Sequence, residues 1–246
     1  MPTVGVDVPR IIAHRGASGH APENTNAAFR KAAELGATWV EFDAKLTRDN
    51  HAILMHDDEL DRTTNGAGKV AETDWADISG LDAGSWYAGE FAGEPVPTLS
   101  STIGVLAELG LGANVEIKPC PGREAETGHM VAAQLVEEWP ASLPVPLISS
   151  FSADSLVAAR DVAPQIPRAF LARRIKLDWN EQLSALKCNA LHTNHKYINA
   201  VELGQLRAAG YAVRVYTVND VARARELFEW GVDGIITDYP DRMAAI

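Results

Sequence analysis

The chain has 246 residues, 46% hydrophobic and 22% charged, which is the balance of an ordinary globular protein with ample material for a core. Its 22 basic and 33 acidic residues leave a net charge of −11, a field that favours solubility and repels nucleic acid and anionic lipid surfaces. The two cysteines, Cys120 and Cys188, have no metal-type spacing and make no disulfide framework.

The N-terminal stretch MPTVGVDVPR lacks the basic and apolar regions of a secretory signal, and no run approaches the ~18 apolar residues of a membrane span. A cytoplasmic protein is expected, with no nucleic-acid partner and no membrane insertion. Composition leaves monomer and homodimer equally open.

In chain order, residues 10–13 read as a short buried strand, followed by an irregular loop over 16–24 that carries two glycines and a proline. Thr25 is placed to cap a helix whose Ala28, Phe29, Ala32 and Leu35 recur at helical spacing, and Gly36 suits its left-handed end. Residues 38–42 and 52–55 read as strands joined by a turn over 47–50.

From residue 59 to about 97 the periodicity is lost among six glycines, with Trp75, Trp86, Tyr87 and Phe91 interspersed. A segment this long is expected to be an insertion or lid beside a site, and its aromatics, which can be buried, argue against a disordered excursion. Beyond it, helix patterns at 99–109, 124–138, 152–162, 180–187, 199–209 and 219–230 alternate with strand patterns at 114–118, 147–150, 168–171, 190–192, 212–217 and 234–237. Asn199 and Glu202 form a capping-box signature, with Ile198 and Leu203 as a hydrophobic staple and Gly210 as the stop. About eight strand–helix units predict a single-domain (β/α)8 TIM barrel over 1–246, with an insertion at about 59–97; a doubly wound open sheet is the other arrangement of such units.

Chemistry-bearing residues gather at the ends of these strands, where barrels place their sites. Glu41 and Asp43 are two apart on one strand and share a face, and Glu116 interrupts an otherwise apolar strand. Such a carboxylate set suits a hard divalent cation, Mg²⁺ or Ca²⁺ (Mn²⁺ is possible), rather than zinc; the alternative is that each carboxylate pairs with a buried base, as Lys118 could for Glu116. His14 and His56 each follow a strand and suit an acid/base pair for in-line displacement at phosphorus, although either could be a structural hydrogen-bonding residue. Arg15 and Lys118 would supply the local positive charge an anionic substrate needs, or salt bridges to those same carboxylates. Weaker candidates for a pocket wall or rim are Phe151, Trp86, His192, Asn194 and Tyr216, with Asp238 as a cap or rim residue near the last strand.

The motifs HRG (14–16), PENT (22–25), EFD (41–43), LTRD (46–49), HD (56–57), LDRTT (60–64), EIKP (116–119), SF (150–151), YTVN (216–219), GVDG (231–234) and TD (237–238) run in the order of the glycerophosphodiester phosphodiesterases. The chain resembles that family over nearly its whole length, most of all its bacterial cytoplasmic members associated with glycerol-phosphate uptake. The resemblance implies a TIM barrel with a small insertion after the strand ending at His56. It also implies metal-dependent hydrolysis of glycerophosphodiesters, such as glycerophosphocholine and glycerophosphoethanolamine, to sn-glycerol 3-phosphate and an alcohol. By the matching motifs Glu41, Asp43 and Glu116 are metal ligands, His14 and His56 the acid/base pair, and Arg15 and Lys118 phosphate contacts. Tyr216 departs from the Trp of many relatives, which alters a pocket wall. Two other functions are weighed against this one: a lysophospholipase D acting on lipids, and a non-catalytic sugar-phosphate-binding barrel.

Overall fold

In the computed structural model, which describes residues 8–246, the chain folds as β1 (Ile11–His14), α1 (Asn26–Glu34), β2 (Trp39–Leu46), β3 (Ala52–Leu54), a short α2 (Trp75–Ile78) and α3 (Leu99–Leu109). It continues with β4 (Gly112–Ile117), α4 (Glu124–Glu138), β5 (Leu147–Ser150), α5 (Ala153–Val162), β6 (Arg168–Ala172) and α6 (Trp179–Leu186). The last elements are β7 (Ala190–Asn194), α7 (Ala200–Ala208), β8 (Ala212–Tyr216), α8 (Val221–Trp230), β9 (Gly234–Thr237) and α9 (Pro240–Met243). Residues 1–7, most of the stretch read above for a secretory signal, lie outside the described residues.

Eight of the nine strands run parallel and close on themselves, because β1 pairs with β9 on one side (Ile11 opposite Ile235) and with β2 on the other (His14 opposite Glu41). An open sheet has free edges, so this double pairing of β1 excludes the doubly wound arrangement. The fold is a TIM barrel.

The ninth strand follows the turn expected over 47–50, and the strand before it is longer than its apolar run. Residues 52–54 do not enter the barrel: β3 folds back antiparallel on the end of β2, with Ala44 opposite Leu54 and Leu46 opposite Ala52. In turn β2 extends to Leu46, four residues beyond the apolar run that ends at Phe42. All eight of its residues are buried, and Glu41, Asp43 and Lys45 interrupt the hydrophobic signal without interrupting the strand.

Alternation along each strand sorts the core. Outward residues such as Val40, Phe42, Val115, Ile148, Val213 and Ile235 pack with Phe29, Ile103, Leu135, Leu156, Leu203 and Leu227 of the helices. Ile12, Trp39, Leu147, Ala169, Ala190 and Ile236 form a separate apolar cluster. They lie on the other parity of their strands, so they plug the barrel interior. Gly112 leaves room for the Trp39 indole, since a Cβ there would lie 2.3 Å from its ring.

Thr25 caps α1 by accepting from the Ala28 N–H, and Asn199 with Glu202 closes a reciprocal capping box on α7. Both follow their sequence signatures. Residues 59–97 carry little regular structure, and Leu60, Val70, Ile78, Ala83 and Val96 pack with Ile53, Met55 and Cys120 into a small core separate from that of the barrel. Among the described residues no helix is long and apolar enough to cross a membrane.

Candidate active site

The carboxyl ends of the strands carry a cavity of about 420 Å³ whose wall includes His14, Arg15, Glu41, His56, Glu116 and Lys118, with Phe151, Asn194 and Tyr216 opposite. Asp43, 1% exposed, lies against this set. Oxygens of Glu41, Asp43 and Glu116 approach within 4.8 Å of one another. Parallel pairing of Asp43 with Glu116 across β2 and β4 brings the carboxylates level, and the period of two on β2 puts Glu41 on the same face.

Three buried carboxylates in contact need opposing charge. Arg15 approaches Asp43 at 3.2 Å, and Lys118 lies 2.7 Å from Glu116 and 3.6 Å from Asp43. The salt bridge read from the sequence between Lys118 and Glu116 is therefore present. It does not satisfy the cluster. Burial raises the Glu41 carboxyl well above its ordinary value, with Asp43 and Glu116 adding to the rise. Burial followed by the Asp43 charge pushes Glu116 up to about 7. Asp43 goes the other way: burial would raise it, but Arg15, Lys118 and His56 together bring it down to about 2. A cluster of oxygen donors that must hold protons when no further cation is near fits a hard divalent ion.

The two histidines are each held by a carboxylate. His14 Nδ1 is 2.6 Å from Asp238, which also accepts from the Ser18 hydroxyl at 2.9 Å and the Asn219 amide at 2.6 Å. His56 Nδ1 is 2.7 Å from Asp57. A carboxylate at Nδ1 keeps the proton there and leaves Nε2 for chemistry; His14 Nε2 lies 4.0 Å from Glu41. Burial lowers the His56 imidazole below its ordinary value, and Arg15 and Lys118 oppose the upward pull of Asp43 and Asp57.

Local backbone serves this arrangement. Arg15 has a positive φ of 52° and Gly16 of 81°, so the chain turns sharply after β1 and the Arg15 N–H reaches Glu41 at 3.1 Å. A Cβ on Gly16 would sit 2.6 Å from Ala28, which reserves the position for glycine. Asn24 exchanges two hydrogen bonds with Asp43, at 2.8 and 3.1 Å.

An ion-pair chain then links the histidine end to the carboxylates. Asp57 accepts from Arg62, Arg62 also donates twice to Glu23 at 2.8 Å, and Glu23 accepts from Arg15 at 2.6 Å. Glu23, Asp57 and Arg62 carry no chemical signal by themselves in the sequence. Only the PENT, HD and LDRTT motifs contain them. Asp238, by sequence a candidate cap or rim residue, is the hydrogen-bond partner of His14.

Two of the weaker candidates stand apart. Trp86 belongs to the segment after β3, packs edge-on to Tyr87 and donates to the Ala83 carbonyl at 2.8 Å. His192 is fully buried, because β7 runs on to Asn194 and places it inside the barrel rather than at the rim. Phe151 and Tyr216 meet edge-on at 6.0 Å, and the Lys118 ammonium sits 5.4 Å from the Phe151 ring.

A sequence model of the glycerophosphoryl diester phosphodiesterase family matches residues 14–242. The chain is 34% identical to a glycerophosphodiester phosphodiesterase of Bacillus subtilis, over 94% of the chain and 83% of the relative. It is 35% identical to one from Caldanaerobacter subterraneus, over 95% of each. The solved structure of an Oleispira antarctica phosphodiesterase in complex with the product sn-glycerol-3-phosphate superposes with a TM-score of 0.94 at 40% identity, covering 97% of this chain and 96% of that one. With the match beginning at His14 and running past Asp238, the chain belongs to the glycerophosphoryl diester phosphodiesterase family.

Proposed function

We propose that this enzyme hydrolyses glycerophosphodiesters, such as glycerophosphocholine and glycerophosphoethanolamine, to sn-glycerol 3-phosphate and an alcohol. The observation that carries the reading is one cavity walled by two histidines, each carboxylate-anchored at Nδ1, above a buried carboxylate triad. The Oleispira antarctica phosphodiesterase with bound sn-glycerol-3-phosphate supports the same product.

Glu41, Asp43 and Glu116 would hold one divalent cation, Mg²⁺ or Ca²⁺, which when bound polarises a phosphoryl oxygen and neutralises the excess carboxylate charge. Arg15 and Lys118 bind the phosphate, Arg15 through a guanidinium already oriented by Glu23 and Lys118 as a point charge. One histidine accepts the proton of the attacking hydroxyl at Nε2, and the other delivers a proton to the departing alcohol oxygen. By the family resemblance the attacking hydroxyl is the neighbouring one on glycerol, and water opens the resulting cyclic phosphate. Each histidine returns to its starting state in that second step.

A coupled assay of glycerol 3-phosphate released from glycerophosphocholine tests the reading. Release is expected with added Mg²⁺ or Ca²⁺, and is expected to stop on chelation and recover when the cation is restored. No release at any of these cation additions overturns it.

A further inference from the structure

The larger cavity at this end of the barrel lies beside the catalytic pocket and carries no acid/base pair. It measures about 760 Å³ and shares Phe151 and Leu171 with that pocket. It opens between the end of β6, the segment that follows it and α6. Phe170, Ile175 and Trp179 are left half-exposed around the void, with Leu183 and Leu191 at its base. An accessible apolar concavity of this size next to a polar site is a place for an apolar group to bind.

Charge and position say what kind of group. Arg173, Arg174 and Lys176 line the same cavity, a basic cluster on a chain of net charge −11. Arg173 donates to the Tyr197 hydroxyl at 3.2 Å and the Arg174 guanidinium lies 4.2 Å from the Tyr197 ring. Tyr197 directly follows Asn194, His195 and Lys196 of the catalytic pocket wall, so the cationic side of the cavity adjoins that wall.

Around the barrel the order is β2 and β4 with the carboxylates, Lys118 after β4, Phe151 after β5, and then the cavity at β6. A diester whose phosphate is held between the carboxylate-bound cation, Arg15 and Lys118 can therefore extend its second substituent past Phe151 toward the cavity.

We propose that this cavity is the leaving-group subsite for glycerophosphodiesters whose alcohol is an alkyl or aryl group larger than choline or ethanolamine. The inference rests on the proposed hydrolysis and adds a substrate class to it. The chemistry is unchanged: the P–O bond to the alkyl oxygen breaks, that oxygen leaves as the alcohol with a proton, and the elements of water complete the phosphate.

The test compares glycerophospho-octanol with glycerophosphoethanolamine. The octyl diester is expected to show a kcat/KM about 10- to 100-fold higher through apolar burial. Filling the cavity with Ala172→Leu, or from the helix side with Gln182→Trp, is expected to cut the octyl preference about tenfold while ethanolamine turnover stays within about twofold. That retained turnover reports a folded enzyme. Equal kcat/KM for the two substrates, or two folded variants that keep the octyl preference, overturns the subsite and leaves the diesterase reading standing. No glycerol 3-phosphate from either substrate overturns the diesterase reading itself. A third arm uses 1-octanoyl-lysophosphatidylcholine, whose chain is on the glycerol side; a preference for it that the filling variants abolish would assign the cavity to an acyl chain and overturn the leaving-group placement.

Discussion

Asp238 shows how much one residue beyond the nominal catalytic set decides. Its Oδ1 holds His14 at Nδ1 and is itself held by Ser18, while Asn219 holds Oδ2. Burial would raise this carboxyl, but those hydrogen bonds and the His14 charge bring it down to about 2. Asp238→Asn replaces an obligatory acceptor with an amide that can donate, and so frees His14 to adopt the other tautomer. The expected outcome is a loss of about 10²- to 10⁴-fold in kcat with KM changed only a few-fold, read in the glycerol 3-phosphate assay. His14→Ala and His56→Ala should each lose about 10²- to 10⁴-fold, and the double variant little more than either, because the pair acts as a unit. Near-full turnover in either single variant removes that residue from the pair.

At the scale of elements, the site depends on how closely the helices let the strands approach. The pair α4 and α5 pack against each other at Gly128, where a Cβ would lie 2.3 Å from the Ser155 carbonyl oxygen. Because that obstacle is backbone, Gly128→Ala must push the helices apart. A loss of about 1–3 kcal/mol is expected from thermal unfolding, larger than the helix-propensity gain of about 1 kcal/mol that alanine brings. A stabilised variant would mean the helix pair is looser than these distances imply. The hairpin of β2 and β3 is the other deciding element, since it carries His56 to the cavity on a segment outside the barrel wall.

For the molecule as a whole, the carboxylate cluster ties stability to pH and to cation. Glu116 has its folded value raised from 4.5 to about 7, so the native state binds that proton more tightly than the unfolded chain. Its contribution is complete below the unfolded value and is lost as pH rises through about 7; the full shift corresponds to no more than about 3 kcal/mol. A divalent cation held by the cluster would replace the proton. Mg²⁺ or Ca²⁺ is therefore expected to raise the Tm more at pH 8 than at pH 6, and Glu116→Gln to remove most of that difference. Equal shifts at the two pH values would argue against binding at this cluster.

Much of the protein is legible in its sequence because the signals are local. Thr25, Asn199 with Glu202, Gly36 and Gly210 mark helix ends through bonds made within a few residues, and the strand–helix alternation requires a parallel sheet covered by helices. The motifs also name the residues that meet in the cavity. Sequence stops short wherever the outcome depends on a distant partner. The turn over 47–50 announces the hairpin of β2 and β3, but nothing near residue 52 says that β3 stays out of the barrel wall, since a short apolar run satisfies either place. Asp238 and His14 are 224 positions apart and meet only because β9 closes on β1. Closure also puts His192 inside the barrel, and β6, α6 and the segment between them line a cavity that no residue pattern announces. The sequence determined the barrel and its chemical groups; the tertiary structure decided which of them touch, because closure converts strand order into contact.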